Sequence, residues 1–139
     1  MMKYNLRQIK KEYFFDLKKS INVFPPETLS LLIGEFLEYL VSHTKKEYVK
    51  FIGKLDLIKL NEKSSLKKEA NKLIRSSKKE TGVNECITWS IIYALLAFRN
   101  KSNYALSVCF MLQALLEVEP KEKVDETLKE CFKRYFDKN

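Results

Sequence analysis

The 139-residue sequence has little glycine and proline, with three residues of each. All-β folds need frequent turn residues, so this scarcity argues against an all-β architecture. Histidine occurs once, at His43, and the three cysteines, Cys86, Cys109 and Cys131, are far apart with no CxxC pair. Zinc sites are built from closely spaced cysteine and histidine ligands. We therefore expect no metal site and no cofactor, and we expect the cysteines to be buried, reduced thiols.

Recognisable catalytic motifs are also missing. The sequence contains no phosphate-binding glycine loop, zinc signature or GxSxG nucleophile elbow. Two catalytic alternatives remain: His43 with a cysteine as a nucleophilic pair, or Glu35 and Glu38 as an acid–base pair. His43 is more typical of a residue that caps a helix end, and surface glutamates are usually only solvated. We therefore expect a protein that is not an enzyme and has no small-molecule substrate.

Long hydrophobic runs are absent as well. The first residues have no apolar h-region, so no signal peptide is predicted. The most apolar runs, residues 86–98 and 104–118, are shorter than the roughly 20 residues that a membrane-spanning helix needs. We expect a cytoplasmic protein with no membrane partner. The chain length predicts a single domain covering residues 1–139.

The most distinctive stretch present is residues 85–118, in which the two apolar runs flank a polar joint at residues 99–103. Each run is apolar around most of its circumference, which is typical of helices in the middle of a bundle. The joint has the length expected between antiparallel helices. We therefore predict an all-α fold, a compact bundle of about seven helices around a buried central helical hairpin at residues 85–118.

Periodic apolar residues and end signals predict the surrounding helices. The residues predicted to face inward are Leu6, Ile9, Tyr13, Leu17 and Ile21 on the first helix, Leu66, Ala70, Leu73 and Ile74 on the fourth, and Val124, Leu128, Cys131, Phe132 and Tyr135 on the last. Pro25 and Pro26 end the first helix and start the second. Thr44 and Glu47 form a capping-box pattern, Ser65 is a predicted N-cap, and Gly82 is suited to a left-handed helix end. The predicted helices outside the hairpin are residues 3–22, 27–42, 44–60, 66–79 and 124–136.

Charge is segregated along the chain, whose formal net charge is +8. Residues 44–80 contain twelve lysines and arginines but only five acidic residues, a balance of +7. Residues at helical spacing opposite an apolar face form solvent-exposed stripes. Such stripes are often only a solvated face; alternatively, they steer an acidic partner towards the protein. The predicted stripes are Lys46, Lys50 and Lys54 on one helix and Lys68, Lys72, Arg75 and Lys79 on another.

The segment IIYALLAFRNKSNYALSVCFMLQALLEVEP and the lysine-rich helical chain around it resemble the α-helical immunity proteins that neutralise contact-dependent or secreted bacterial toxins. The resemblance implies a toxin-immunity complex in bacterial competition. Many immunity proteins are acidic, whereas this chain is basic. The resemblance therefore implies either an acidic toxin surface for the lysine stripes or binding through the acidic helix that carries Glu35 and Glu38.

The sequence thus supports a ranked pair of functions. The first is a non-enzymatic, protein-binding inhibitor of a cognate toxin, with the two basic stripes, Glu35 and Glu38 as candidate contact residues. The alternative is a basic helical module that binds nucleic acid. Lysine dominates over arginine, which occurs only four times, and no aromatic row interleaves the stripes for base stacking, so nucleic acid is the less favoured partner.

Overall fold

The protein is all-α in the part that the structure describes, as the sequence predicted, and no β-strand occurs there. The structure is a computed structural model that describes residues 2–21, 34–35 and 63–136. No helix in these ranges is both long enough and apolar enough to cross a membrane. Five labelled helices are described: α1, which joins the segments Leu6–Ile9, Lys10–Phe14 and Phe15–Ile21; α2, Lys63–Ser77; α3, Gly82–Leu95; α4, Ser102–Val118; and α5, Lys121–Phe136.

Helix α1 begins at Leu6, later than predicted, because Asn5 caps its N-terminus. The Asn5 side chain accepts a hydrogen bond from the Gln8 backbone N–H at 2.8 Å. The Gln8 side chain in turn accepts one from the Asn5 backbone N–H, also at 2.8 Å. This reciprocal capping box satisfies two donors that would otherwise lack a partner, and it defines where the helix starts.

A π-helical turn, Lys10–Phe14, lies within α1. The buried residues of α1 are Ile9, Tyr13 and Leu17, four residues apart. In a regular α-helix of 3.6 residues per turn, such a row drifts by about 80° from its first to its last member. The wider π turn absorbs part of this drift, so the row stays against α4, on which α1 packs. The sequence pattern predicted the inward row but not the π turn.

Helix α2 buries the narrow apolar face that its sequence predicted. Leu66, Ala70 and Leu73 are buried, and the helix packs on α3. The predicted N-cap, Ser65, was wrong: Ser65 lies inside the helix, because Lys63–Ser77 is helical throughout.

The turn between α2 and α3 depends on Gly82, which has φ +62°. The predicted left-handed conformation is therefore present, but Gly82 is the first residue of α3, after the extended N-cap Thr81, and does not end α2. A Cβ built on Gly82 meets nothing within 4 Å, so the backbone conformation and not a lack of space favours glycine. Thr88 Oγ1 donates to Glu80 Oε2 at 2.6 Å and ties this turn to α3.

Helices α3 and α4 pack along each other more extensively than any other pair of described elements. They are antiparallel, since Ser90 bonds to Ser107 and the Asn103 side chain donates to the Leu96 carbonyl at 3.1 Å. A 3₁₀ turn, Leu96–Phe98, ends the first helix. Most of the buried residues among those described belong to this pair: Cys86, Ile87, Thr88, Ser90, Ile91, Ile92, Ala94 and Leu95 on α3, and Tyr104, Ala105, Ser107, Val108, Cys109, Met111, Leu112, Gln113, Ala114, Leu115 and Leu116 on α4.

Two serines, Ser90 and Ser107, join the two helices through hydrogen bonds. Ser90 Oγ donates to the Ser107 carbonyl at 2.7 Å, and Ser107 Oγ donates to the Ser90 carbonyl at 2.5 Å. Both side chains are completely buried. A hydroxyl that reaches the opposite backbone needs closely spaced helix axes, so small side chains are required at this crossing.

Helix α5 starts directly after Pro120, and its residue Val124 is buried as predicted. Leu128 is half-buried against the core. The predicted helices at residues 27–42 and 44–60 lie outside the described residues, apart from Gly34 and Glu35, which are helical. The complete bundle of about seven helices therefore stays a prediction.

Candidate functional site

The strongest candidate surface in the described part of the chain is the exposed side of α2 and the turn that follows it. The predicted stripe residues Lys68, Lys72, Arg75 and Lys79 are all exposed. The spacing of four and three residues keeps Lys68, Lys72 and Arg75 on one side of the helix. The helix was predicted to extend to residue 79 but ends at Ser77, so Lys79 lies in the turn that follows. Lys67 and Lys78 lie nearby and are also exposed.

Packing on the opposite side of α2 holds this surface in place. The buried row faces α3, and Ser77, which is also buried, donates from its Oγ to the Ile74 carbonyl at 2.7 Å. Ser76 makes the equivalent bond to the Leu73 carbonyl at 3.0 Å. The Glu80 carboxylate that follows the helix is bound by Thr88 and turned towards α3. The basic side chains therefore project from a helix whose other side packs on α3.

One local carboxylate, Glu69, lies close to a lysine of this surface. Lys72 Nζ lies 4.0 Å from Glu69 Oε2, at the outer limit of an ion pair, and the Lys72 side chain is 54% exposed. Exposed pairs of this kind contribute little to stability and leave the ammonium group accessible to a partner. The surface is therefore suited to attracting an acidic molecule.

The other predicted contact residues are located differently. Lys46, Lys50, Lys54 and Glu38 lie outside the described residues. Glu35 is helical, like Gly34, and is half-buried, and its Oε2 atom is buried. A carboxylate in this position is less accessible than the solvated surface glutamate that the sequence suggested.

Sequence reasoning missed a second basic surface, on α1. Phe15 is 69% exposed, the largest exposure among the large hydrophobic residues described. Lys19 Nζ lies 5.1 Å from the centre of its ring, and Lys11 and Lys18, one turn away on either side, are exposed. The lysines were recognisable from their helical spacing. The exposure of Phe15 was not predictable, because the inward row does not show how much of a neighbouring side chain is in contact with solvent.

A half-buried aromatic cluster lies along one side of the α3–α4 pair. The rings of Tyr93 and Phe110 are stacked with centres 5.5 Å apart, and Trp89 lies 6.0 Å from Tyr93 and 6.3 Å from Phe110. Spacings in this range are favourable for aromatic pairs. The i, i+4 spacing of Trp89 and Tyr93 could have indicated the pair on α3, but Phe110 joins them only through the tertiary fold.

A shallow cleft of about 280 Å³ opens beside this cluster, at the N-terminal end of α3. Gln113 lies in its wall, and its Nε2 donates to the Tyr4 carbonyl at 3.0 Å, which ties the N-terminal segment to α4. The cleft is lined mainly by Met2, Leu6, Glu85, Cys86, Phe110 and Gln113.

The described cysteines are unsuited to nucleophilic chemistry. Burial, with smaller contributions from Glu85 and Glu117, raises the pKa of the Cys86 thiol to about 12. Burial likewise raises the pKa of Cys109 to about 12, although Lys10 opposes the shift. Both thiols are therefore protonated at neutral pH, whereas the thiolate is the nucleophile. His43 lies outside the described residues, and within them no group of three or more His, Cys, Asp or Glu side chains could hold a metal ion.

A small network of polar side chains joins α1 to α5. Tyr13 Oη donates to Asp125 Oδ1 at 2.5 Å. Lys121 Nζ bridges Asp125 Oδ2 at 3.1 Å and Glu12 Oε1 at 2.5 Å, and it lies 5.9 Å from the centre of the Tyr13 ring. Burial and the hydrogen bond to Asp125 raise the pKa of Tyr13 well above its ordinary value of 10.0. The network holds the first and last described helices together.

Tyr13→Phe is expected to lower the free energy of unfolding at neutral pH by about 1 kcal/mol, because the hydrogen bond to the Asp125 carboxylate is lost. Since folding raises the pKa of Tyr13, its contribution is complete below pH 10 and is lost as the pH rises through 10 towards the folded-state pKa. Urea unfolding of both proteins between pH 7 and 11 measures this difference.

Tyr93→Phe is the matched control, since Tyr93 is half-buried and lies outside this network. Its difference from the wild type at pH 7 measures the loss of a tyrosine hydroxyl outside the network. A Tyr13→Phe difference that is constant between pH 7 and 11, or that grows above pH 10, would contradict the assigned hydrogen bond.

Comparisons with protein-family models, with curated protein sequences and with solved structures found no match to this chain.

Proposed function

We propose that this protein is a non-enzymatic, cytoplasmic, immunity-type inhibitor that neutralises a cognate bacterial toxin by direct binding. The observation that carries the proposal is the exposed basic stripe of Lys68, Lys72 and Arg75 on α2, which packs on α3, with Lys79 in the turn that follows. Complementary charge accelerates encounter with an acidic surface and disfavours basic partners. The identification of the partner as a toxin rests on the resemblance of the helical, lysine-rich chain to α-helical immunity proteins.

The proposal includes the finer architecture predicted from the sequence. A bundle of about seven helices around the hairpin at residues 85–118 carries a second stripe, Lys46, Lys50 and Lys54, in addition to the stripe on α2. The two stripes together then present a broad cationic surface to the toxin. The extensive packing of α3 on α4, and of α2 on α3, supports this arrangement.

Binding is favoured over catalysis because the described reactive groups are suppressed. The raised pKa values of Cys86 and Cys109 disfavour a cysteine nucleophile. An inhibitor, in contrast, needs only a rigid and chemically complementary surface. The burial of Leu66, Ala70 and Leu73 against α3, and the Thr88–Glu80 hydrogen bond after the helix, support such a surface.

The proposal is tested by co-expression with the product of the adjacent open reading frame, followed by co-purification and measurement of toxin activity. The charge reversal Lys68→Glu/Lys72→Glu is expected to weaken the complex about ten-fold or more, mainly by slowing association. Stability should change by less than about 0.5 kcal/mol per substitution, because both side chains are exposed. Association of the wild-type pair should slow as salt is added.

Lys129→Glu/Lys133→Glu is the matched control, since these lysines are also exposed and four residues apart, on α5. It makes the same change in net charge and should leave affinity almost unaltered. Equal losses in both double variants would mean that only net charge matters and that the α2 stripe is not the contact surface. A failure of the adjacent gene product to bind would refute the toxin-inhibitor function.

Nucleic acid gives a different result in the same experiments. Affinity for an unrelated DNA or RNA would fall linearly with the logarithm of salt concentration, in proportion to the number of phosphates contacted. Tight binding of this kind, without selective binding of the neighbouring gene product, would support the nucleic-acid module instead.

A further inference from the structure

Helix α1 combines a projecting aromatic ring with a cluster of cations. Phe15 is 69% exposed. Lys11 lies four residues before Phe15, and Lys18 and Lys19 lie three and four residues after it. These spacings place the three lysines around the ring on the helix surface. The Lys19 ammonium lies 5.1 Å from the ring centre. We call Lys11, Phe15, Lys18 and Lys19 the α1 patch.

The α1 patch faces away from α4, because the opposite side of α1 packs on that helix. Ile9, Tyr13 and Leu17 are buried, and α1 packs along α4. The Tyr13 hydroxyl is bonded to Asp125 on α5. Within the described residues, no large part of the Phe15 ring is therefore covered.

The charge around the patch is predominantly positive. Residues 2–21 contain six lysines and arginines but only two acidic residues, a balance of +4. One of the two carboxylates, Glu12, is bound to Lys121 at 2.5 Å. The other, Asp16, is exposed next to Phe15. The chemistry of the patch therefore fits an anionic partner that also accepts an apolar ring.

Among anionic partners, a lipid surface fits this combination best. The exposed Phe15 ring distinguishes this patch from the α2 surface, where no large hydrophobic residue is exposed. Arginine, the preferred residue for recognising bases and phosphates in nucleic acids, is absent from the patch. Helices that lie in the membrane interface, in contrast, combine lysine-rich faces with phenylalanine, and each lysine near an anionic bilayer adds to binding. The expectation of no membrane partner rested on the absence of a membrane-spanning segment. A helix that binds the membrane surface does not need such a segment.

We propose that α1 binds the surface of an anionic lipid bilayer, with the Phe15 ring at the boundary between headgroups and acyl chains. Lys11, Lys18 and Lys19 contact the lipid phosphates. This binding is independent of the inhibitor function, which uses α2. The two surfaces belong to helices that pack on different members of the α3–α4 pair.

Co-sedimentation with vesicles tests the proposal. The probes are vesicles of phosphatidylcholine alone and vesicles that contain roughly a third phosphatidylserine, at low ionic strength. Only the second should bind the full-length protein. Phe15→Ala should weaken partitioning about ten-fold through the loss of apolar burial. Lys18→Ala/Lys19→Ala should weaken it about 25-fold, or about five-fold per lysine.

Asp16→Asn provides a test in the opposite direction. It removes the exposed carboxylate beside Phe15, so it should strengthen partitioning, by up to about five-fold. Non-specific adsorption or partial unfolding of the variants would not strengthen partitioning for Asp16→Asn while weakening it for Phe15→Ala and Lys18→Ala/Lys19→Ala. Circular dichroism of each variant checks that the fold is retained.

Lys129→Ala/Lys133→Ala is the matched control for charge, since it removes two exposed lysines from α5. It should change partitioning by less than about three-fold. The proposal is overturned if phosphatidylserine vesicles do not bind the protein, or if Phe15→Ala binds them as well as the wild type does. Loss of binding to a protein partner in Phe15→Ala, without any vesicle binding, would assign the patch to an acidic protein instead.

Discussion

Leu112→Ala is expected to lower the free energy of unfolding by about 2–5 kcal/mol, the usual range for removing a large buried aliphatic side chain. Leu112 on α4 and Leu95 on α3 are both 0% exposed. Truncating either one leaves a cavity that tightly packed neighbours fill only in part. Leu95→Ala is therefore expected to cost a similar amount. Urea unfolding followed by circular dichroism measures both losses.

Leu106→Ala is the matched control, since Leu106 lies on α4 but is only half-buried. Its expected cost is about 1 kcal/mol, because part of its side chain already contacts water. Losses below 1 kcal/mol for both Leu95→Ala and Leu112→Ala would be incompatible with a core located between α3 and α4.

Local periodicity accounts for the parts of the fold that were predictable. Two inward rows were predicted from their spacing alone and are buried. They are Ile9, Tyr13 and Leu17 on α1 and Leu66, Ala70 and Leu73 on α2. Such rows require only that one side of the helix is buried and the other is exposed to solvent.

Helix boundaries and irregular turns were less predictable because they depend on specific hydrogen bonds. Ser65 had the composition of an N-cap, but the helix extends past it, since a capping residue is only a local preference. Asn5 was the actual cap of α1, and Gln8 completes its capping box. The π turn around Tyr13 arises where α1 must keep its row against α4, which is a tertiary requirement.

The candidate sites, too, were only partly predictable from the sequence. The stripe of Lys68, Lys72 and Arg75 was predictable, because exposed charges at helical spacing lie opposite an apolar row. The polar network of Tyr13 and Asp125 was not, because its members are 112 residues apart. Contacts between distant segments leave no periodic pattern in a single sequence.

Ser90→Leu is expected to cost about 3 kcal/mol, the upper part of the usual range for overpacking a core. Ser90 Oγ lies 2.7 Å from the Ser107 carbonyl oxygen, and both residues are completely buried. No space remains there for additional carbon atoms, so α3 and α4 would have to move apart. Because this pair contains most of the described core, the displacement would loosen many other contacts.

Ser90→Ala separates the effect of volume from that of the hydroxyl. Alanine fits the same space and removes the bond donated by Ser90 Oγ together with its 3.1 Å contact to Ser107 Oγ, so its expected cost is about 1 kcal/mol. Ser76→Leu, at an exposed position of α2, controls for the serine-to-leucine change and should stay within about 0.5 kcal/mol. Chemical unfolding of the three variants gives the comparison. If Ser90→Leu and Ser90→Ala cost the same, the hydroxyl bonds and not the close approach of the helices determine the choice of serine at this crossing.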